Sequence, residues 1–216
     1  MQRLGVCVPV LMLLFCVGCQ RAEPPVAVQP TPQRALPHRD GFKPIGGIEG
    51  ENLSYDRSRL PAKVVGALGL EPGMRVADVG AGRGYLTFRI ADAVGASGRV
   101  VATDVDSDAV ETLKIRAEGQ PRVSVRQVTE EDPGLAPGAF DLIVMSEVDH
   151  FLHDRVAFLK KMRAALAPGG RLAVTHTRAL RPQLEAAARE AGFAVTSEFD
   201  ELPDHYLLIF SPVVGP

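Results

Sequence analysis

The sequence predicts an α/β domain in three layers, with a mostly parallel seven-stranded sheet between helices on both faces. From about Ser58 onward, short β-branched runs alternate with longer amphipathic runs, which is typical of parallel strands joined by helical crossovers. Turn signals such as Glu71-Pro72-Gly73 separate these runs. No helical run lies between the last two strands, which predicts an antiparallel pair at one edge.

Apolar periodicity and turn residues define the elements in chain order. The predicted strands are Arg75–Val79, Arg99–Thr103, Val123–Val128, Phe140–Met145, Arg171–Thr175, Thr196–Phe199 and Tyr206–Phe210. The predicted helices are Arg59–Leu68, Tyr85–Val94, Asp108–Glu118, Arg155–Leu166 and Pro182–Ala191. The fourth helix is expected to end at Pro168-Gly169-Gly170, and the fifth to begin with proline and stop at Gly192, as helices prefer.

Side-chain spacing justifies the individual helices. In the first, Leu60, Val64 and Leu68 recur on one face, as expected for a helix that packs on a sheet. Asp106 and Asp108 suit the cap and the first turn of the third helix. The apolar stripe of the fourth helix is interpreted as core packing.

A glycine-rich segment, Asp78-Val79-Gly80-Ala81-Gly82-Arg83-Gly84-Tyr85, lies between the first strand and the second helix. Glycines there let the backbone turn tightly and approach a ligand without a Cβ in the way. Asp104 ends the next strand, 22 positions after Gly82, where a carboxylate can accept both hydroxyls of an adenosine ribose. A dinucleotide is an alternative ligand, but its fingerprint is Gly-x-Gly-x-x-Gly rather than Gly-x-Gly-x-Gly. A structural loop and a helix-capping Asp104 remain the other interpretations.

From about Tyr55 to Pro212 the chain resembles the class I S-adenosylmethionine-dependent methyltransferases, which have a Rossmann-like fold. The motifs that match are Asp78–Gly84, the ribose-binding Asp104, Phe140–Ile143 in the fourth strand, and Leu166–Leu172 before the fifth. The resemblance implies S-adenosylmethionine as cofactor and methyl transfer to an acceptor as activity. The residues expected at the cofactor are Asp78, Gly80, Ala81, Gly82, Gly84, Tyr85, Asp104, Glu131, Asp132 and Glu147. Among them, the N–H groups near Gly80 and Gly82 would hold the methionine part, and Asp78 and Glu147 would balance its positive charge.

A narrower resemblance links Thr129–Pro133 and Glu147–His150 to a bacterial group of predicted methyltransferases, some with export signals. That group carries Asp-Asp-Pro after the third strand and Asp-Val-Tyr-His-His after the fourth. This chain departs from the pattern at Glu131, Glu147, Asp149 and Phe151. The resemblance implies that Glu131 or Asp132 lies near the adenine, where a carboxylate can accept from its amino group.

Methyl transfer from a sulfonium is an in-line displacement, which mainly requires that two reactants be positioned. Where the acceptor must lose a proton, His150 or Asp149 after the fourth strand is the candidate general base. A shape-filling or capping role is the alternative for His150. His176 either lines the acceptor pocket or is an ordinary loop histidine. No metal is expected, because no third ligand is fixed by spacing beside His150 and His153.

The N-terminus predicts export and lipidation. Arg3 precedes an apolar run of about 14 residues, Leu4–Val17, which is short for a membrane span of about 20 residues. Cys16-Val17-Gly18-Cys19 resembles the lipobox of bacterial lipoproteins, in which the final cysteine is lipidated. An ordinary cleaved signal and an uncleaved anchor are the alternatives. The predicted organisation is therefore a lipoprotein signal at residues 1–19, a proline-rich tether at 20–50 and a methyltransferase domain at 51–216.

This organisation predicts a protein anchored at Cys19 and facing the periplasm in a bacterial cell envelope. Gln20 replaces the Asp that retains some lipoproteins at the inner membrane, which points to the outer membrane. All three cysteines, Cys7, Cys16 and Cys19, precede the expected domain, so it holds neither a disulfide nor a thiolate metal site.

Charge and composition limit the classes of partner that this chain is expected to bind. The chain has 216 residues and a net charge of −2, with 24 Lys and Arg against 26 Asp and Glu, so the bulk basic bias of a nucleic-acid-binding protein is absent. A small molecule or lipid is the expected acceptor, rather than a macromolecule. Two alternatives stay open: a non-catalytic adenosyl-binding or scaffold lipoprotein, and a nicotinamide-dependent oxidoreductase, which the loop spacing disfavours.

Overall fold

The computed structural model describes residues 56–213, so the predicted signal, lipidation site and tether lie outside the described residues. The strands are β1 Arg75–Val79, β2 Arg99–Asp104, β3 Val123–Gln127, β4 Phe140–Ser146, β5 Leu166–Thr177, β6 Phe193–Phe199 and β7 His205–Pro212. The helices are α1 Pro61–Ala67, α2 Thr87–Val94, α3 Ser107–Arg116, α4 Arg155–Ala165 and α5 Arg181–Glu190, with 3₁₀ turns at Asp149–Phe151 and Arg178–Leu180. Within this part of the chain, none of the helices has both the length and the apolarity to cross a bilayer.

The seven strands form one sheet in the order β3-β2-β1-β4-β5-β7-β6. Strands β1 to β5 are parallel, whereas β7 is antiparallel to both β5 and β6. The predicted fold, with its antiparallel edge pair, is therefore confirmed. Strand order changes direction between β1 and β4, and ligands of such sheets bind outside the carboxyl ends of the strands at that switch point.

Side chains that alternate along the strands pack into two main hydrophobic clusters, one on each face of the sheet. On one face, Leu142 and Ala173 belong to a cluster that includes Val64 of α1 and Ile90 of α2. The opposite face is covered by α4 and α5, whose buried residues include Leu159 and Leu184. Leu113 of α3 packs with Ala102 of β2. Both faces of the sheet are thus covered, as the near-continuous apolar strands require.

The first predicted helix is wrong at its N-terminus. Helix α1 begins at Pro61, and Leu60 has a left-handed φ of 43° that separates it from the helical residues 56–59. Proline disfavours the right-handed helical region for the residue before it, and its ring is well suited to the first turn of a helix. The second helix likewise begins two residues later than predicted, at Thr87.

The predicted turn Pro168-Gly169-Gly170 lies inside β5 as an irregular segment. Phe140 pairs with Leu166, but Leu142 pairs with Arg171, so the register shifts between them. A Cβ at Gly170 would lie 2.7 Å from the Phe140 carbonyl oxygen, which explains why this close approach requires glycine. Strands β6 and β7 also begin earlier than predicted, because pairing with neighbours rather than local periodicity sets their ends.

Two glycine-to-alanine substitutions test the packing with opposite expected signs. At Gly84, φ is +88° and a Cβ would lie 2.5 Å from Leu113 Cδ1, so alanine should lower the free energy of unfolding by about 2–4 kcal/mol. At Gly66, inside α1, a Cβ would meet nothing within 4 Å, so alanine should raise the free energy of unfolding by about 0.5–1 kcal/mol. Urea denaturation measures both, and equal effects of one sign would contradict this packing.

Candidate functional site

The candidate site lies where the chain leaves β1 and β4, at the switch point of the sheet. The two loops meet there: a Cβ at Gly80 would lie 2.2 Å from Val148 Cγ2. The loop after β1 carries the glycine-rich segment, and the loop after β4 carries Glu147 to His150. The fold therefore brings together the two segments in which the sequence placed the cofactor and the catalytic residues.

The N–H groups of the glycine loop are bonded within the chain. Gly80 and Ala81 donate to the Thr103 carbonyl oxygen at 2.8 and 3.0 Å, and Gly82 donates to Asp104 Oδ2 at 2.7 Å. These N–H groups are thus engaged by the end of β2, and their role toward the methionine part of the cofactor stays a prediction. What the loop leaves open is the surface at Gly82, where a Cβ would meet nothing within 4 Å. A ligand can approach the backbone there.

Asp104 is 5% exposed, and its carboxylate connects the end of β2 with the glycine loop and with the segment before α3. Its Oδ2 accepts from Gly82, and its Oδ1 accepts from the Asp106 N–H at 3.0 Å. An ionised carboxylate has about four acceptor positions, so two remain for donors such as ribose hydroxyls. Asp106, in turn, caps α3 by accepting from Asp108 and Ala109, as the sequence predicted.

Asp78 lies buried behind the loop and accepts a 2.6 Å hydrogen bond from Thr87 Oγ1. Burial raises the pKa of Asp78 to about 6, against the effect of the Thr87 hydrogen bond and with a smaller contribution from Asp104. Thr87 was missed by the sequence reasoning, which placed the helix start at Tyr85. A hydroxyl residue in the first turn after a glycine loop was the available signal.

Tyr85 holds the segment that precedes α1. Its hydroxyl donates to Asp56 Oδ1 at 2.7 Å, and the Arg89 guanidinium lies 4.9 Å from the ring centroid. Burial and the neighbouring Asp56 carboxylate raise the pKa of Tyr85 above its ordinary value. The polar end of this side chain is therefore engaged with residue 56, and its contact with the cofactor stays a prediction.

Glu131 and Asp132 lie exposed in the loop after β3. Asp132 Oδ1 accepts from the Gly134 N–H at 2.9 Å, and the Glu131 carbonyl oxygen accepts from Lys161. The loop starts beside the end of β2, because the Val128 N–H donates to the Asp104 carbonyl oxygen. These acidic residues thus follow the strand next to the ribose-binding candidate, and their role at adenine stays a prediction.

Glu147 has a left-handed backbone, with φ of 59°, which is uncommon for a non-glycine residue and is often found at functional sites. Its Oε1 lies 3.0 Å from His205 Nε2, and its Oε2 lies 3.7 Å from His176 Nδ1. Burial by itself would raise the pKa of Glu147, but the His205 hydrogen bond and the charges of His176, Arg59 and His205 together hold the pKa below its ordinary value. The sequence did not indicate His205, because only the antiparallel insertion of β7 beside β5 brings it to this edge.

His150 and His176 form a direct contact. His150 Nδ1 lies 2.7 Å from His176 Nε2, with His150 exposed and His176 only 3% exposed. His176 Nδ1 accepts from the Thr177 N–H at 2.7 Å. Burial lowers the pKa of His176, and the nearby Glu147 carboxylate opposes that effect. The structure thus joins the candidate base to the histidine that the sequence left as either pocket-lining or ordinary.

Asp149, the other candidate base, is fully buried. Its Oδ1 accepts from Arg155 Nε at 3.0 Å, and among the described residues its Oδ2 has no hydrogen-bond partner. Of the two candidates only His150 is therefore exposed to an acceptor. Across residues 56–213, no group of three or more His, Cys, Asp or Glu side chains is arranged to hold a metal ion.

A sequence family described as "Methyltransferase domain" matches residues 77–172, which include most of β1, the glycine loop, Asp104 and most of β5. A solved S-adenosylmethionine-dependent methyltransferase from Aquifex aeolicus superposes with a TM-score of 0.69 at 23% identity, covering 73% of this chain and 92% of that one. Residues 77–172 are thus similar to a methyltransferase domain, and the superposition shows the same fold. Both findings agree with the methyltransferase class that the sequence predicted.

Curated relatives match about half of this chain or somewhat more. Aklanonic acid methyltransferase DauC from Streptomyces sp. strain C5 is 35% identical over 105 residues, which are 48% of this chain and 48% of that protein. A ubiquinone biosynthesis O-methyltransferase from Mesorhizobium japonicum is 32% identical over 137 residues, 60% of this chain and 52% of that protein. The chain thus spans about half the length of these relatives.

The Asp78→Asn substitution should change how stability depends on pH. Because the folded pKa of about 6 lies above the ordinary 3.8, the stabilisation is complete below about pH 4 and is lost as pH rises through about 6. Asparagine keeps an acceptor for Thr87 but does not titrate. The free energy of unfolding of the wild-type chain, relative to the variant, should fall by about 3 kcal/mol across this range. Denaturation of both proteins at pH 4 to 7 measures this difference. If the free energy of unfolding had the same pH dependence in both, the result would contradict a buried Asp78 that ionises in this range.

Proposed function

We propose that this chain transfers the methyl group of S-adenosylmethionine to a small-molecule or lipid acceptor. The observation that carries the proposal is the buried Asp104 carboxylate, held by the glycine loop at the end of β2, with acceptor capacity left beside the open surface of Gly82. The match of residues 77–172 to a methyltransferase domain supports the same function. A nicotinamide-dependent oxidoreductase finds no support among these matches.

The residues present fit the proposed methyl donor. Asp104 would accept from the ribose hydroxyls, and Glu131 or Asp132 from the adenine amino group. When bound, S-adenosylmethionine supplies a methyl carbon that bonds to an electron pair of the acceptor while the carbon–sulfur pair returns to sulfur. The carboxylates of Asp78 and Glu147 would balance the positive charge of the donor.

The acceptor side of the site is the loop after β4. His150 is exposed there, next to the pairs that Asp149 forms with Arg155 and Glu147 forms with His205. The named relatives include an aklanonic acid methyltransferase and an enzyme of ubiquinone biosynthesis, which favours a small organic acceptor. The net charge of −2 does not favour nucleic acid.

A non-catalytic domain that binds an adenosyl compound is the second candidate. The observation that favours it is the engagement of the Gly80, Ala81 and Gly82 N–H groups within the chain, which leaves fewer donors for a ligand. Such a domain would bind S-adenosylhomocysteine and S-adenosylmethionine but release no methyl group to any acceptor. Product formation therefore separates the two candidates.

The proposal includes an anchor at Cys19, which would attach the protein to the cell envelope on its periplasmic side, at the outer membrane where Gln20 follows the lipidated cysteine. The lipobox-like Cys16–Cys19 segment and the proline-rich residues after it support this arrangement. Stable membrane attachment through lipid takes two signals, such as two acyl chains.

Calorimetric titration of the full chain with S-adenosylmethionine tests the cofactor assignment. We expect micromolar binding, about −8 kcal/mol. Asp104→Asn should weaken it about 10- to 100-fold, because charge-assisted hydrogen bonds to the ribose are lost. Asp108→Asn, an exposed acid in the first turn of α3, is the matched control and should bind like the wild-type chain. Absence of binding by the folded wild-type chain would overturn the proposed function.

Metabolic labelling with a radioactive fatty acid in a bacterial host tests the anchor. Cys19→Ser should abolish both the label and the recovery of the protein with membranes. Cys7→Ser, in the same apolar run, is the matched control and should keep both. Equal labelling of the two variants would contradict lipidation at Cys19.

A further inference from the structure

Two histidines from neighbouring strands contact the carboxylate of Glu147. Its Oε1 lies 3.0 Å from Nε2 of His205 in β7, and its Oε2 lies 3.7 Å from Nδ1 of His176 in β5. The Glu147 N–H donates to the Thr175 carbonyl oxygen at 3.0 Å, which ties this left-handed residue to the end of β5. Contacts from two adjacent strands therefore hold the carboxylate at the carboxyl edge of the parallel sheet.

The two imidazoles differ in what they can donate to this carboxylate. The Thr177 N–H donates to His176 Nδ1 at 2.7 Å, so in neutral His176 that nitrogen is an acceptor and has no proton for Glu147. An ionised carboxylate can only accept, so His205 Nε2, at 3.0 Å from it, carries the proton of their contact. Among the described residues, His205 Nδ1 has no hydrogen-bond partner that would turn the ring elsewhere. His205 is therefore the imidazole that supplies a donor to Glu147.

The surroundings of Glu147 favour its ionised form although the side chain is only 19% exposed. Burial raises the pKa of Glu147, but the His205 hydrogen bond and nearby positive charges hold the pKa below its ordinary value. Without His205 the burial would remain, so the carboxylate would take up a proton more readily. The charged and titratable groups that face Glu147 are Arg59 before α1, His176 in β5, and His205 and Tyr206 in β7, while Asp149 and His150 of its own loop face His176.

Glu147 lies where the loop after β4 meets the glycine loop. The next residue, Val148, has its Cγ2 2.2 Å from the position that a Cβ on Gly80 would take, so the two loops are in contact. In the proposed function, the positive charge of S-adenosylmethionine is balanced on this side of the site. That charge belongs to the sulfonium, whereas the product S-adenosylhomocysteine has lost the methyl group and has a neutral sulfur. A carboxylate there attracts the donor but not the product.

We propose that His205 is a positioning residue that holds Glu147 as a carboxylate at the methyl-donor side of the site, and that the two residues together raise the affinity for S-adenosylmethionine relative to S-adenosylhomocysteine. This inference rests on the proposed function and adds to it a residue from the inserted strand β7. Because the neutral product gains nothing from the carboxylate, the same contact favours the exchange of product for a new donor molecule.

Calorimetric titration of the full chain with S-adenosylmethionine and with S-adenosylhomocysteine tests the charge effect without any turnover. Glu147→Gln keeps the shape but removes the charge, so it should weaken S-adenosylmethionine about tenfold and change S-adenosylhomocysteine by less than about twofold. His153→Gln, at an exposed histidine that follows Glu147 in the same loop, is the control and should change neither affinity. Equal weakening of the two ligands by Glu147→Gln would overturn the proposal.

Two His205 variants separate positioning from packing through their pH dependence. His205→Phe keeps an aromatic ring but removes the donor, so at about pH 5.5 it should bind S-adenosylmethionine about three- to tenfold more weakly than the wild-type chain does. The difference should shrink as pH rises, because Glu147 then ionises in the variant too, and comparison with the wild-type chain at each pH cancels the ionisation of Asp78. His205→Gln restores an N–H at a similar reach and should restore the affinity. A loss that is equal for both ligands at every pH would show packing alone and would overturn the proposal.

The double variant with Glu147→Gln and His205→Phe tests whether the two residues act together. It should bind S-adenosylmethionine like Glu147→Gln alone, because His205 acts through the charge that is already removed, and additive losses would contradict the proposal. In the wild-type chain, NMR of ¹⁵N-labelled histidine should show a proton on His205 Nε2. An unprotonated Nε2 would overturn the assignment even where a variant does not fold. Binding of neither ligand by the folded wild-type chain would instead overturn the proposed function.

Discussion

The hydrogen bond between the Gly82 N–H and the Asp104 carboxylate is the interaction on which the candidate site depends. It joins the loop after β1 to the end of β2, and the second oxygen of the same carboxylate fixes the start of the segment that leads into α3. With the Thr103 carbonyl oxygen accepting from Gly80 and Ala81, contacts within the chain fix the shape of the loop. Preorganisation of this kind lowers the entropy that a ligand must offset on binding.

The acceptor side depends on a different constraint, the insertion of an antiparallel strand beside β5. Because β7 starts where the parallel strands end, His205 reaches the carboxyl edge and meets Glu147. The unusual backbone of Glu147 is compatible with this, since its carboxylate contacts residues of two strands. His176 continues the network to the exposed His150, so a buried polar cluster supports one surface imidazole.

The elements that could be predicted are those with strong local signals. Apolar runs in the strands, the glycine loop and the acid at the end of β2 indicated the fold and the cofactor side. Boundaries failed where the local signal was ambiguous. Helix α1 begins at Pro61 because proline disfavours the helical region at Leu60, and residues 167–170 become part of β5 through its pairing with β4. Thr87 and His205 were missed because their partners are distant in sequence or lie across a turn.

The sequence by itself determined the class of fold, the position of the cofactor loop and the candidate residues after β4, because periodicity, glycine spacing and strand ends are local properties of the chain. The tertiary structure decided which of those residues act together. The burial of Asp149, the exposure of His150 and its contact with His176 all depend on neighbours from other segments of the chain. Side-chain chemistry at a site is set by such contacts between distant segments, and no local pattern carries them.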